Sequence, residues 1–550
     1  MIFALKLFPA IFLLIILSGC EKEKGHIERD GLIIYQEAKL SWVRNFNPLV
    51  PGGSARFPTS AGIYEPLFIY NSITGEYVPW LATGYEWSKG NTTLVLKIRE
   101  GVTWSDKTPF TAEDVAYTFN LKKQYPALDT RASWEYLEKV ESKPNNDVVF
   151  TFKRVFVPGF DAIAGQSIVA KHIWQKVDDP VKFSNPDPIG TGPFTEIVRF
   201  DKQIWELGKN PNYWQPGKPH VDKLVFPAYP GNEQVTLALL SGELDWAGAF
   251  IPAIERVFIS KDPENHKYWF SITGHTTFLH TNTKDPILKD KRVRMAISHA
   301  IDRDLVVKVG MYDYTSPAHI TGVSGKMSKW HSPKVKSYED WTKFDIAKAK
   351  KLLDEAGYYE NDDGKRYLKD GSPLNFEIII VSGWSDWIRS AQVISQNLKS
   401  IGIYAKVKTY EFGTWISQMQ KGNFQLAIGW GEKGPTPYPL YKGMMYSGYV
   451  KPIGEVADVN WHRFSNSSAD SLIIKFEKTS NEEEKEQLIH EMQHLFIENA
   501  PSIPLFAEAS WAECNTRYFT NFPSEDNPYG TLSPNYSPEN LFVMLNVKGR

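Results

Sequence analysis

The chain has 550 residues, 62 Lys and Arg against 64 Asp and Glu, and a formal net charge of −2. That balance, with no basic run, argues against a dedicated nucleic-acid binder, and the length favours two to four domains. Aromatic residues make up 14% of the chain and include 18 Trp, more than a core calls for, which points to aromatic platforms in a cleft.

The first element is a leader. Lys6 is followed by an apolar run over 7–17, interrupted only by the shape of Pro9. That run fits the hydrophobic region of a signal peptide and is too short to span a bilayer. Leu17-Ser18-Gly19-Cys20 resembles a lipobox, in which the cysteine thiol is acylated and becomes the first mature residue. An ordinary secretory signal with a chance cysteine is the plainer alternative. Residues 1–20 then form the leader and 21–30, charged and polar, a short tether. Acylation of Cys20 leaves Cys514 with no partner in the chain, so the core holds without a disulfide. No later stretch is apolar enough to cross a membrane.

Further along, Thr111-Ala112-Glu113-Asp114 is a capping box that starts a helix running through Phe119. Residues 223–229 read as a strand, Pro230-Gly231-Asn232 as a turn and 233–240 as a helix. A helix over 345–356 stops at Gly357, the C′ residue. Residues 374–381 form a β-rich run, and Ser382 to Asp386 a turn. Trp387, Ala391, Ile394 and Leu398 then recur at helical spacing up to Gly402, after which Ile403, Ala405 and Val407 alternate as a strand. This βαβ unit implies a parallel pair with a right-handed crossover. Residues 424–428 form a strand ending at Gly429-Trp430, and a helix over 481–500 is stopped by Pro501. There are no internal repeats or low-complexity tracts.

Open α/β sheets bind ligands beyond the carboxyl ends of their strands. Asn232, Trp384, Asp386 and Trp430 stand at such ends and suit a cleft for a polar solute. The plain alternative is that each Trp seals a loop against the core.

Several stretches together resemble one family. Gly101-Val102-Thr103-Trp104-Ser105-Asp106, followed by Thr108-Pro109-Phe110-Thr111-Ala112-Glu113-Asp114-Val115, is similar to the signature of extracellular solute-binding proteins of family 5, the oligopeptide- and dipeptide-binding type of ABC transporter component. Asn45-Phe46-Asn47-Pro48, Gly190-Thr191-Gly192-Pro193-Phe194, Asn210-Pro211-Asn212-Tyr213-Trp214, Arg292 to Ile297 with Ile301-Asp302-Arg303, and 347–357 follow in the family's order. The resemblance implies an α/β fold of the type II periplasmic-binding-protein kind, two hinged lobes with an inserted domain. Lobe one would take 31–60, 185–275 and 501–550, the insert 61–184 and lobe two 276–500, with hinge crossings near 275 and 500. It further implies a monomer that needs no cofactor or metal, hands its solute to an ABC permease, and meets the membrane only through its lipid.

Peptide-binding members commonly place an Asp in the strand-end loop of lobe two, where a desolvated ligand ammonium needs a fixed anion. Here that loop reads Gly429-Trp430-Gly431-Glu432-Lys433-Gly434-Pro435-Thr436-Pro437. Glu432 can substitute, although Lys433 beside it can compensate the charge. The chain looks closer to the subset that binds cellobiose, chitobiose and related oligosaccharides, through Trp214 to Pro219, Gly231-Asn232-Glu233-Gln234, Leu244 to Gly248 with Phe250-Ile251-Pro252, Ser382 to Trp387, and Gly434 to Tyr438. Trp rings stack on the apolar faces of sugars, and charged groups bond the hydroxyls for roughly 1.5–3 kcal/mol each. Trp384 and Trp511 are the expected platforms, with Asp386 and Asn232 on hydroxyls. Trp246, Trp430 and Tyr438 come second, and Arg44, Asn45, Phe46, Arg517 and Phe522 are further candidates from lobe one. Trp511 could equally serve the core near the hinge.

Three other function classes fit the sequence less well. His490-Glu491-Met492-Gln493-His494 matches the zinc-peptidase pattern, but Leu488, Met492, Leu495 and Phe496 mark the apolar face and put both histidines on a solvated one. A glycosidase would need a carboxyl pair held across the bond, and an adhesin would need no cleft. No catalytic residue is assigned.

Overall fold

The computed structural model describes residues 29–50, 61–368 and 370–550. Cys20, the leader and the tether up to residue 28 lie outside the described residues. Among the described residues, no helix is long and apolar enough to cross a membrane.

Two large sheets organise the chain. The seven-stranded sheet runs in the order His266–Tyr268, Glu513–Asn515, Trp246–Ala247, Leu32–Tyr35, Lys223–Pro227, Ile204–Lys209, Phe194–Phe200. Its central strand, Leu32–Tyr35, is parallel to both neighbours, and its apolar sequence suits a strand covered on both faces. The five-stranded sheet runs Tyr404–Tyr410, Asn375–Val381, Leu426–Trp430, Ser271–Thr281, Ser502–Ser510.

The βαβ unit read from the sequence lies at the edge of this second sheet. Asn375–Val381 pairs in parallel with Tyr404–Tyr410 from Asn375 opposite Tyr404 to Val381 opposite Tyr410. Helix Ser385–Lys399 joins them and buries Trp387, Ala391, Ile394 and Leu398, the face that the 3.6-residue period marks. The strand expected over 424–428 is shifted to Leu426–Trp430, which carries Trp430 to the end of the sheet.

The chain leaves the first sheet after Tyr268 and enters the second at Ser271, and it returns between Ser510 and Glu513. These two crossings lie side by side: the Trp269 amide donates to the Ala512 carbonyl at 3.1 Å.

Residues 68–184 add a four-stranded antiparallel sheet in the order Ala82–Ser88, Thr93–Ile98, Asp147–Phe152, Leu137–Ser142. Helix Ala112–Gln124 packs on it. The Thr111 hydroxyl accepts the Glu113 amide and the Asp114 carboxylate accepts the Thr111 amide, closing the capping box. This unit shares one hydrophobic core with the seven-stranded sheet.

Glu65 ties the two together. Its buried carboxyl accepts Trp80 Nε1 at 2.7 Å, Tyr213 Oη at 2.8 Å and Trp214 Nε1 at 3.0 Å. Burial outweighs these donors and raises its pKa from 4.5 to about 7. The folded state therefore holds one proton more than the unfolded chain between those values. The stability that this proton contributes is present below pH 4.5 and is lost as pH rises through 7, at about 1.4 kcal/mol per pH unit. Glu65→Gln should remove that slope; melting temperatures of both proteins from pH 5 to pH 7.5 check it, and parallel curves contradict it.

Candidate functional site

The carboxyl ends of the parallel strands in both sheets point at one another. Strand Lys223–Pro227 leads into Pro230, Gly231 and helix Asn232–Leu240; strand Asn375–Val381 leads into Gly383, Trp384 and helix Ser385–Lys399. The two turns meet backbone to backbone. The Asn232 amide donates to the Gly383 carbonyl at 3.1 Å. Gly383 has φ +85°, and a Cβ there would lie 2.3 Å from the Pro230 carbonyl oxygen. Only glycine fits both conditions.

Beside this contact, Asp386 joins three parts of the chain. Trp511 Nε1 donates to its Oδ2 at 3.0 Å and Asn232 Nδ2 to its Oδ1 at 3.4 Å. Asp386 is buried, and that burial raises its pKa although the Trp511 donor opposes the shift. A groove of about 260 Å³ opens next to the turns, lined by Ala38, Lys39, Gln234, Ser382, Glu411 and Phe412 among others.

The facing surfaces carry paired opposite charges. Glu37 and Lys39 lie 3.5 Å apart with 7% and 5% of their side chains exposed, and the Lys39 ammonium stands 5.2 Å over the Phe412 ring of the opposite sheet's loop. Lys433 bonds Glu508 and lies 3.2 Å from Tyr536 Oη. Tyr536 belongs to the C-terminal segment, which packs on the first sheet through Gln36 Nε2 to the Pro534 carbonyl at 3.2 Å. Burial pulls the Lys433 ammonium down, but Glu508 and Tyr536 hold it above its ordinary value. Glu508 is pushed up by burial and held below its ordinary value by Lys433 and His275.

Behind the strand ends of the second sheet lies an aromatic cluster. Trp384 meets Trp387 edge-on at 4.9 Å, Trp415 meets Trp430 at 5.2 Å, and Trp430 meets Trp461 at 5.5 Å, with Phe412 against them. Trp384 and Trp430 remain half-buried.

The sequence profile of the bacterial extracellular solute-binding proteins, family 5 (middle region), matches residues 76–451, more than half of the chain. The chain belongs to that family. The oligopeptide-binding protein AppA of Bacillus subtilis (strain 168) is 24% identical over 425 residues, 75% of each chain. The glutathione-binding protein GsiB of Shigella flexneri is 26% identical over 453 residues, 78% of this chain and 80% of the relative. A mannohexaose-bound periplasmic oligopeptide-binding protein of an ABC transporter from Thermotoga maritima superposes with a TM-score of 0.88 at 24% identity, over 95% of this chain and 99% of that one. The fold is therefore the type II periplasmic-binding-protein architecture, and the chain is a solute-binding component of the ABC transporter type.

For this family 5 chain the structure brings some expected residues together and disperses others. Asn232, Asp386 and Trp511 do meet, but they bond one another. Trp384 and Trp430 share the aromatic cluster. Trp246 is not at a cleft: it is fully buried in a strand covered on both faces, and its Nε1 donates to the Leu532 carbonyl at 2.6 Å. Phe522 packs in the same core, 6.3 Å from Trp246. Tyr438 is buried too, stacked on Phe476 at 4.5 Å with its hydroxyl donating to Glu477 at 2.8 Å. Phe46 is a core residue against Trp205 at 5.7 Å. Asn45 turns its side chain back to the Asn47 amide, and Arg44 pairs with Asp187 at 2.8 Å. Arg517 pairs with Asp262 at 2.8 Å on an exposed surface.

Glu432 lies along helix Tyr438–Met445, its Cγ 2.7 Å from where a Cβ on Gly443 would sit. Lys433 turns the other way, so its charge is matched by Glu508. His490 and His494 are half-buried and not on a solvated face: His494 Nε2 contacts Ser332 Oγ at 3.0 Å, and His490 lies 3.8 Å from Glu486. Among the described residues, no group of three His, Cys, Asp or Glu side chains could hold a metal.

Glu37, Lys39, Phe412, Glu508 and Tyr536 were not singled out from the sequence. Glu508 did carry a signal: it is the one charged residue in the strand Ser502–Ser510.

Proposed function

We propose that this family 5 protein captures a short peptide between its two lobes and delivers it, lobes closed, to an ABC importer, held at the membrane by a lipid on Cys20. Lobe one takes 31–60, 185–270 and 511–550, an inserted domain 61–184 and lobe two 271–510; the bounds expected near 275 and 500 move to the paired crossings after Tyr268 and Ser510, the hinge, because strands Ser271–Thr281 and Ser502–Ser510 pair within the second sheet. The observation that carries the peptide reading is the cleft's electrostatics. It presents the buried pair Glu37–Lys39 from lobe one and the more open pair Lys433–Glu508 from lobe two, which suit a solute bearing both charges. The groups expected on sugar hydroxyls, Asn232, Asp386 and Trp511, are instead committed to one another. The names of AppA and GsiB, an oligopeptide and a glutathione binder, lean the same way.

An oligosaccharide is the second reading. It is favoured by the half-buried Trp384 and Trp430, which offer ring faces for stacking, and by the mannohexaose in the Thermotoga structure. Thermal unfolding of a Cys20→Ser chain against di- to pentapeptides and cello-, chito-, xylo-, manno- and laminari-oligosaccharides separates them. A ligand at a hundredfold excess over Kd adds about 2.7 kcal/mol. Shifts with peptides support the first reading; shifts with one sugar series alone overturn it.

A further inference from the structure

We infer that Glu508 receives the cationic end of the solute and that Lys433 is its internal counter-ion, displaced when the solute enters; the inference rests on the peptide reading. Glu508 sits in the edge strand Ser502–Ser510, two residues before the return crossing. Lys433 sits in the loop between strand Leu426–Trp430 and helix Tyr438–Met445. Tyr536 reaches both from the opposite lobe, its hydroxyl 3.2 Å from Lys433 Nζ and 3.4 Å from Glu508 Oε1.

The two oxygens of Glu508 are used unequally. Oε1 takes Lys433 and Tyr536, whereas Oε2 is buried without a hydrogen-bond partner among the described residues. A buried carboxylate oxygen with no donor is costly, so the group is placed to accept one more. The partners also differ in freedom. Glu508 is 19% exposed and anchored in a strand; Lys433 is 36% exposed, on a flexible four-carbon stem. Lys433 can swing toward water while Glu508 stays. Nearby His275, held down to about 4 by burial, is neutral at pH 7 and adds no competing cation.

Charge is conserved through the exchange. Before binding, Lys433 neutralises Glu508. After it, the solute ammonium does so, and Lys433 faces the solute carboxylate. No charge is left buried alone at either stage, which is where the large penalty would arise. A neutral sugar carries no cation to make the exchange and leaves the pair as it is. The pair thus selects zwitterions.

The test is calorimetric titration of the mature, lipid-anchored protein in detergent with trialanine, N-acetyl-trialanine and trialanine amide, using wild type, Glu508→Gln and Lys433→Met. Glu508→Gln should weaken trialanine 10- to 100-fold and leave the already weak N-acetyl-trialanine unchanged. Lys433→Met should reverse the wild-type preference for the acid over the amide. Equal affinity of wild type and Glu508→Gln for trialanine overturns the inference and leaves the peptide reading standing. No binding of trialanine by wild type removes both.

Discussion

Gly383→Val is expected to hold the lobes apart and lower solute affinity at least a hundredfold. The added Cβ would sit 2.3 Å from the Pro230 carbonyl oxygen and 3.0 Å from Gly231 Cα. Both are backbone atoms of the opposite lobe and cannot yield as a side-chain tip can. The φ of +85° adds strain for a β-branched residue in either state. The clash, however, exists only when the turns meet, so the variant pays it on closure, and a hundredfold corresponds to about 2.7 kcal/mol. Small-angle X-ray scattering should give a larger radius of gyration than wild type under identical conditions. Gly231→Val, whose Cβ would lie 2.7 Å from Gly383 Cα, should behave alike from the other side. A wild-type radius and affinity in both variants would mean that these turns do not come together in solution.

Asp386→Ala is the second large effect. In the closed arrangement it leaves the Trp511 indole N–H without its acceptor and removes one of two acceptors from the Asn232 side-chain amide, which keeps Ser385 Oγ at 3.3 Å. Each buried donor left unpaired costs about 1–3 kcal/mol. Opening admits water to both, so the loss falls on the closed form, and affinity should drop 10- to 100-fold. Asp386→Asn keeps an oxygen for Trp511 and should recover part of it. The distinguishing readout is scattering without ligand: a latch shifts the unliganded protein toward the open shape, whereas a group that only touches solute leaves that shape unchanged.

These two predictions show what the sequence made legible. Turn chemistry and periodicity are local, so the βαβ unit, the Thr111 capping box and the junction of Pro230, Gly231 and Asn232 could all be read from neighbours in the chain. The ordered motifs from Asn45 onward identified the family. Facing is a different matter. Trp246, Phe46, Phe522 and Tyr438 are bulky aromatics near strand ends or in the motifs, as Trp384 is, but burial depends on what covers the other side of the element. Trp246 has a neighbour on both faces of its sheet; Trp384 caps the start of a helix at the lobe boundary. Nothing local distinguishes them.

Long-range pairing was equally hidden. The sequence sets Lys433 beside Glu432, whereas its partner is Glu508, 75 residues away. By sequence alone Asp386 stands free to meet a ligand, yet its oxygens accept from Asn232 and Trp511, 154 and 125 residues away in sequence. Both cases follow one rule: a polar side chain near a cleft satisfies itself within the protein where it can, and the partner is supplied by the fold.

Native mass spectrometry of the protein, purified without unfolding from the cells that export it, tests most directly that the closed cleft is built for a peptide. The account predicts bound species whose masses and fragment spectra resolve into short amino-acid sequences, lost on Gly383→Val. A ladder of adducts spaced by a sugar unit, with no peptide among them, would contradict it.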